Sequence, residues 1–150
     1  MAELKAHSGK FFEVIFRMEK TQEDGTLKKV KKTFAVNALS FAEAESKVIN
    51  EIFPYTKGDF EVVNINPAQY GEVFTSDDDA DSGFYKCKIS LITLDEKSGK
   101  EKKSKEQYLV QAASTSKAQT YIDKGIKGGS TVDYETASIS ETQISEVLNG

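Results

Sequence analysis

The chain has no tryptophan, one cysteine, one histidine and two prolines in 150 residues. Each shortage removes a class of protein. A single cysteine, Cys87, cannot close an intrachain disulfide, so a reducing, cytoplasmic setting is expected. The one histidine, His7, lies in an N-terminal segment expected to fray, which leaves a histidine-based triad without a centre. No run approaches the ~20 apolar residues that cross a bilayer. Met1–Lys10, carrying Glu3, Lys5 and His7, lacks the apolar stretch of a signal peptide. The expectation is a soluble, non-enzymatic protein with no membrane contact, no cofactor and no resident metal.

What the sequence does contain is an internal repeat. Sliding it along itself by 74 residues sets Gly9–Phe74 on Gly83–Leu148 with 17 identities in 66 ungapped pairs. Among them are Gly25/Gly99, the trio Lys28, Lys29, Lys31 over Lys102, Lys103, Lys105, and Val36/Val110, Ala38/Ala112, Ser40/Ser114 and Ala44/Ala118. Ile65/Ile139, Gln69/Gln143, Glu72/Glu146 and Val73/Val147 follow. A repeat unit of ~65 residues is marginal alone. Two copies are therefore expected to pack as one pseudo-twofold body: an N-terminal segment 1–8, repeats 9–74 and 83–150, and an acidic linker 75–82.

Each copy opens with residues alternating at period two, Phe12, Val14, Phe16, Met18 and Tyr85, Cys87, Ile89, Leu91, as half-buried strands do. These strands match best at an offset of 73, so one residue was inserted in the second turn. Gly25 and Gly99 suit tight reversals. The returning strands, Lys29–Asn37 and Lys103–Gln111, are lysine-rich near the turn and apolar farther on. Ser40 and Glu43 have capping-box spacing before Phe41, Ala44, Val48 and Ile52, and Pro54 stops that helix. In the second copy Ser114 or Ser116 caps a helix with Ala118, Tyr121 and Ile122 inside; Gly125 and Gly128-Gly129 predict an earlier end. Strands Phe60–Ile65 and Val132–Ile139 close the units, with Gln69–Phe74 and Gln143–Leu148 as returning edge strands. The expected fold is α+β, a tandem β-β-α-β(β) unit whose antiparallel sheets are each covered by one helix.

Candidates for chemistry are few. Cys87 falls on the inward phase of its strand and reads as a small buried apolar residue. Asp77, Asp78, Asp79 and Asp81 imitate a calcium loop, but Ser82 replaces its glycine and Lys88 its final glutamate, so a flexible acidic spacer is expected. Gly125, Gly128 and Gly129 end a helix and lack the Lys-Ser/Thr of a phosphate loop. The edge strands with Glu72/Glu146 and Val73/Val147 complete the core of each unit or add a strand from a partner.

The lysine hairpins are the main candidate site. Residues 17–32 hold six basic and three acidic side chains, and residues 86–107 seven and four, within a chain of net charge −4. Lys28, Lys29, Lys31 and Lys32 in one copy, and Lys100, Lys102, Lys103 and Lys105 in the other, could meet phosphates, with Phe34 and Tyr108 as stacking groups for bases. The same lysines could instead guard exposed strands and keep the protein soluble. Nucleic acid, single-stranded or bound without sequence preference, is thus one expected partner. The alternative is a protein-interaction or structural module.

The second copy also resembles a known family. Tyr85–Ile89, Asp95–Lys102, Tyr108–Ala112 and Ile139–Leu148 are similar to domain of unknown function family 4494, and Ala38, Ser40, Glu43 and Ala44 fit its pattern in the first copy. The resemblance implies a small accessory protein of the kind found in gut anaerobes and their phages. It would then work in the bacterial host cytoplasm, with no catalytic residues to transfer.

Overall fold

The computed structural model of the protein describes residues 3–53, 59–129 and 133–148, apart from the side chains of 127–129. The expected helix stop at Pro54 and strand start at Val132 lie outside the described residues. Among the described residues the elements run β1 (Leu4–His7), β2 (Phe11–Thr21), β3 (Leu27–Asn37), α1 (Phe41–Ile52), β4 (Phe60–Ala68), β5 (Glu72–Ser76), β6 (Gly83–Leu94), β7 (Glu101–Ala112), α2 (Thr115–Gly129), β8 (Asp133–Glu141) and β9 (Ile144–Leu148). The order ββαββ therefore occurs from β2 to β5 and again from β6 to β9. The fold is α+β, with two helices and two mixed sheets of four and five strands.

The two compact units are not the contiguous halves. Lys10–Gln69 joins Gln143–Gly150, while Tyr70–Thr142 joins Met1–Gly9. This redraws the expected boundaries at 9–74 and 83–150, and connection length explains why. β4 lies antiparallel to β2, so it runs parallel to β3, whose free edge is on the far side of the sheet. Parallel strands in one sheet need a crossover of roughly a dozen residues or more. Only Gln69, Tyr70 and Gly71 separate β4 from β5. β5 instead pairs in parallel with β7, and β9 in parallel with β3. The expected purely antiparallel sheets are corrected to mixed ones for the same reason.

The four-stranded unit has the order β4-β2-β3-β9. Phe12, Val14 and Phe16 lie opposite Val36, Phe34 and Lys32 on β3. The apolar members of that face pack with Ala44, Val48 and Ile52 of α1. The helix starts where the sequence places it: Ser40 Oγ accepts from Glu43 N at 3.1 Å, and Glu43 Oε2 accepts from Leu39 N at 3.1 Å. Each fully buried Phe or Val here stabilises by roughly 1.5–3 kcal/mol.

The five-stranded unit has the order β1-β5-β7-β6-β8. Its core joins Tyr85, Cys87, Ile89, Tyr108, Val110 and Phe74 to Ala118, Tyr121, Ile122 and Ile126 of α2. Ser114 is the cap, accepting from Lys117 N at 3.1 Å. α2 is longer than α1, 15 residues against 12, contrary to the early end expected at Gly125. Gly125 sits inside the helix because a Cβ there would lie 2.6 Å from the Phe74 ring. The glycine serves packing, not termination. The N-terminal segment is also ordered, as β1 on the outer edge of β5.

The two hairpins share one irregularity. β2–β4 is bulged between Ile15 and Phe16, β6–β8 between Lys88 and Ile89, at equivalent places under the 73-residue offset of the first strands. The turns differ by one residue, Gln22–Thr26 against Asp95–Lys100, as that offset requires.

Candidate functional site

Both lysine-bearing hairpins end in turns built from local hydrogen bonds. In the first, Gly25 takes a left-handed φ of 86° and Asp24 Oδ1 accepts from Thr26 N at 3.0 Å and Thr26 Oγ1 at 2.6 Å. Those bonds from Thr26 hold the Asp24 carboxyl below its ordinary value. In the second, Gly99 has φ 66° and Asp95 Oδ1 accepts from Lys97 N at 3.0 Å. Such turns fix the register, and the register decides which face each lysine occupies.

Directly opposed residues of an antiparallel pair share a face, and neighbours along a strand alternate. Lys28 is opposite Lys20 and Lys32 opposite Phe16, so Lys20, Lys28 and Lys32 lie on the α1 side of the sheet. Arg17 is opposite Lys31 and Glu19 opposite Lys29, which puts Arg17, Lys29 and Lys31 on the other side. The second hairpin divides likewise. Lys102, opposite Thr93, is on the α2 side; Lys103 and Lys105, opposite Ile92 and Ser90, are on the other; Lys100 is in the turn. The lysine trio of each hairpin is therefore split between two faces.

The hairpins are not equivalent in charge. The first carries two like-charge pairs set directly across from each other, Lys20/Lys28 and Arg17/Lys31. Like charges so placed are destabilising. The second opposes its lysines with Thr93, Ile92 and Ser90, and Lys103 reaches Glu135 at 3.9 Å. Among the described residues, Lys103 is the one member of the eight candidate lysines with an ion pair.

The candidate stacking groups are placed differently from the lysines. Phe34 is 3% and Tyr108 6% exposed. Phe34 meets Phe16 edge-on at 4.9 Å and Tyr108 meets Phe74 edge-on at 5.7 Å. Both belong to the cores, and neither offers a ring face to a base. The exposed apolar residues at the tips are Leu27 and Leu94.

The acidic segment after β5 is tied down rather than flexible. Asp81 is 1% exposed, and its Oδ2 accepts from Ser76 Oγ at 2.6 Å and from the Tyr121 hydroxyl. Its Oδ1 is buried without a hydrogen-bond partner among the described residues. Gln111 spans the corner, donating to Asp81 O at 2.9 Å and accepting from Ser76 N at 3.0 Å. Lys117 lies over the Tyr121 ring at 5.5 Å. Burial, then the bond to Asp81, pushes the Tyr121 hydroxyl up. Asp77 and Asp78 accept from Glu3 N and Ala80 N, so these carboxylates serve the backbone and do not converge. No group of three or more metal-type side chains occurs among the described residues. Sequence reasoning missed this corner because nothing in a run of aspartates marks the one that turns inward.

Cys87 is fully buried, and burial pushes its thiol up to about 12. His7 Nε2 lies 2.8 Å from Thr75 Oγ1, and burial followed by Lys5 lowers its pKa. Among the described residues no helix is long and apolar enough to cross a membrane.

The family model described as Domain of unknown function (DUF4494) matches residues 10–150, and the chain belongs to that family. No curated protein and no solved structure gave a significant match.

Proposed function

We propose that the protein is a non-enzymatic nucleic-acid-binding accessory protein that grips phosphates with its lysine hairpins, the first more strongly than the second. The observation that carries this reading is the pair of like-charge oppositions, Lys20/Lys28 and Arg17/Lys31. Lys20/Lys28 costs stability in the free protein and gains from a polyanion laid along the α1 side, whereas Arg17/Lys31 is partly compensated by Glu61, opposite Arg17 on β4. Lys29 and Lys32 extend the two faces, and Lys100, Lys102, Lys103 and Lys105 form the weaker counterpart. A two-stranded ribbon suits a groove or an unpaired strand. The burial of Phe34 and Tyr108 removes base stacking, so contact runs through phosphates and is insensitive to sequence. The one buried cysteine favours an intracellular setting.

The same reading treats the chain as a tandem duplication whose closing strands are exchanged. Support comes from the parallel pairs: Glu72, Val73 and Phe74 meet Tyr108, Leu109 and Val110, and Glu146, Val147 and Leu148 meet Phe34, Ala35 and Val36, residue for residue 74 apart.

Fluorescence anisotropy with single- and double-stranded oligonucleotides of one sequence, at ~20 and ~200 mM salt, tests the function. Binding to both, weakened by salt and lost when Lys28, Lys29, Lys31, Lys102, Lys103 and Lys105 become glutamine, is the expected result. No binding at low salt, or binding indifferent to those changes, refutes it.

A further inference from the structure

The outer surface of α1 is apolar where that of α2 is not. Among the described residues seven large apolar side chains stand exposed, and four of them, Leu39, Phe41, Ile49 and Phe53, lie on α1 or at its ends. Leu39 and Phe53 are 79% and 72% exposed; Phe41 meets the Phe12 ring at 4.9 Å and is still 52% exposed. Apolar residues scattered singly are ordinary, but a cluster of them marks an interaction surface. Folding does not require this one. The residues 74 positions on from Leu39, Phe41 and Ile49 are Ala113, Thr115 and Asp123. The inward positions stay apolar in both helices, Ala44, Val48 and Ile52 against Ala118, Ile122 and Ile126. Asp123 Oδ1 moreover accepts from Gln119 Nε2 at 3.0 Å and from the Tyr134 hydroxyl, so α2 satisfies its outer carboxylate within its own unit.

Phe41, Glu45, Ile49 and Phe53 stand four residues apart, the spacing of the ridges that pack helix on helix. Phe53, the C-cap, keeps helical dihedrals, so the row continues through it for ~18 Å. Glu45 interrupts the row between two apolar anchors. It is exposed and has no ion pair among the described residues, whereas Glu43 holds Lys47 at 3.2 Å. Anything that covers Phe41 and Ile49 also covers Glu45, and a carboxylate taken out of water has to meet a cation. We propose that this ridge of α1 docks an amphipathic helix of a partner protein, whose apolar face carries one lysine or arginine set against Glu45. A second copy of the chain is a poorer occupant. Packing α1 on α1 about a twofold brings two Glu45 carboxylates into one covered patch. Lys47 is no remedy there, being held by Glu43 and by the Asn37 carbonyl at 2.7 Å. The ridge shares no residue with the lysine hairpins and does not depend on their reading.

The probe is a fluorescein-labelled amphipathic peptide of about 18 residues, long enough to hold a helix. Leucines line one face and alternating glutamate and lysine the other, with lysine, methionine or glutamate at the centre of the leucine face. Titrated into the intact protein, the lysine peptide should bind with a Kd on the order of 100 µM or tighter, with amide shifts centred on residues 39–53. The methionine and glutamate peptides should bind several-fold more weakly, and Glu45→Gln should erase that preference. Ile49→Gln/Phe53→Gln should weaken the lysine peptide about tenfold or more. Neither side chain belongs to the core, so the urea midpoint of this double variant should stay that of the wild type. Absence of binding, shifts centred elsewhere, equal binding of the three peptides, a preference that survives Glu45→Gln, or an affinity unmoved in the double variant overturns the proposal. A dimer seen by light scattering without peptide, and abolished by the same double variant, also overturns it, since a second copy would then be the occupant.

Discussion

Replacing Lys28 and Lys31 by glutamine should raise stability while lowering affinity for nucleic acid. Each substitution removes one member of a directly opposed like-charge pair, Lys20/Lys28 or Arg17/Lys31. Cross-strand pairs of this kind are worth about 0.2–1 kcal/mol each, and Glu61, opposite Arg17 on β4, offsets part of the Arg17/Lys31 repulsion, so the double variant should gain about 0.2–1 kcal/mol at low salt, mostly from Lys28. At ~1 M salt the Debye length is about 3 Å and the gain should vanish. Lys29→Gln is the control: it faces Glu19 across the ladder, and its loss should bring no gain. For binding, one face of the first hairpin offers three cations, Lys20, Lys28 and Lys32 or Arg17, Lys29 and Lys31. Three phosphate contacts on a single strand give a log–log salt slope of about −2, or roughly 20-fold weaker binding from 50 to 200 mM. The double variant removes one cation from whichever face is used, so the slope should fall to about −1.4. Urea unfolding at two salt concentrations and anisotropy titrations read the two quantities. A variant that is no more stable at low salt and keeps its salt slope refutes the reasoning.

Tyr121→Phe removes a donor to the buried Asp81 carboxylate. It should cost about 1.5–3 kcal/mol, read as a lower urea midpoint. Cys87, fully buried with its thiol pushed up to about 12, should resist a thiol reagent at pH 8 in the folded protein and react once upon unfolding. His7 has a folded pKa below its ordinary 6.5. The unfolded chain therefore binds its proton first, and the stability due to neutral His7 is present above 6.5 and lost as pH falls through the window toward the folded pKa. Wild type should lose stability across that window relative to His7→Gln, with the amides of β1 exchanging faster. An unchanged difference between the two proteins would contradict the burial of His7.

Much of the local structure was legible in the chain. The alternation Phe12, Val14, Phe16 and Tyr85, Cys87, Ile89 is realised in the two cores. The cap at Ser40, the turn glycines and the extra turn residue are all where spacing places them, because each is decided by contacts within a few residues. The lysines were found as a charged group, but their division between faces waited on register. Phe34 and Tyr108 have an apolar period that fits a core as well as a stacking platform, and burial settled it. Gly125 reads as a helix stop until the Phe74 ring is seen against it. Asp81 differs from its neighbours only in what surrounds it.

Sequence alone determined the hairpins, the helices and their order, since periodicity, caps and turns act over short distances and do not depend on the rest of the chain. Tertiary structure alone decided where β5 and β9 go. Phe34–Val36 and Tyr108–Val110 present nearly the same edge, so the preference of a closing strand for either is not written in its five residues. The choice falls to geometry: a link of three residues before β5, or two before β9, cannot carry a strand across its own sheet to a parallel position, so β5 pairs with β7 and β9 with β3.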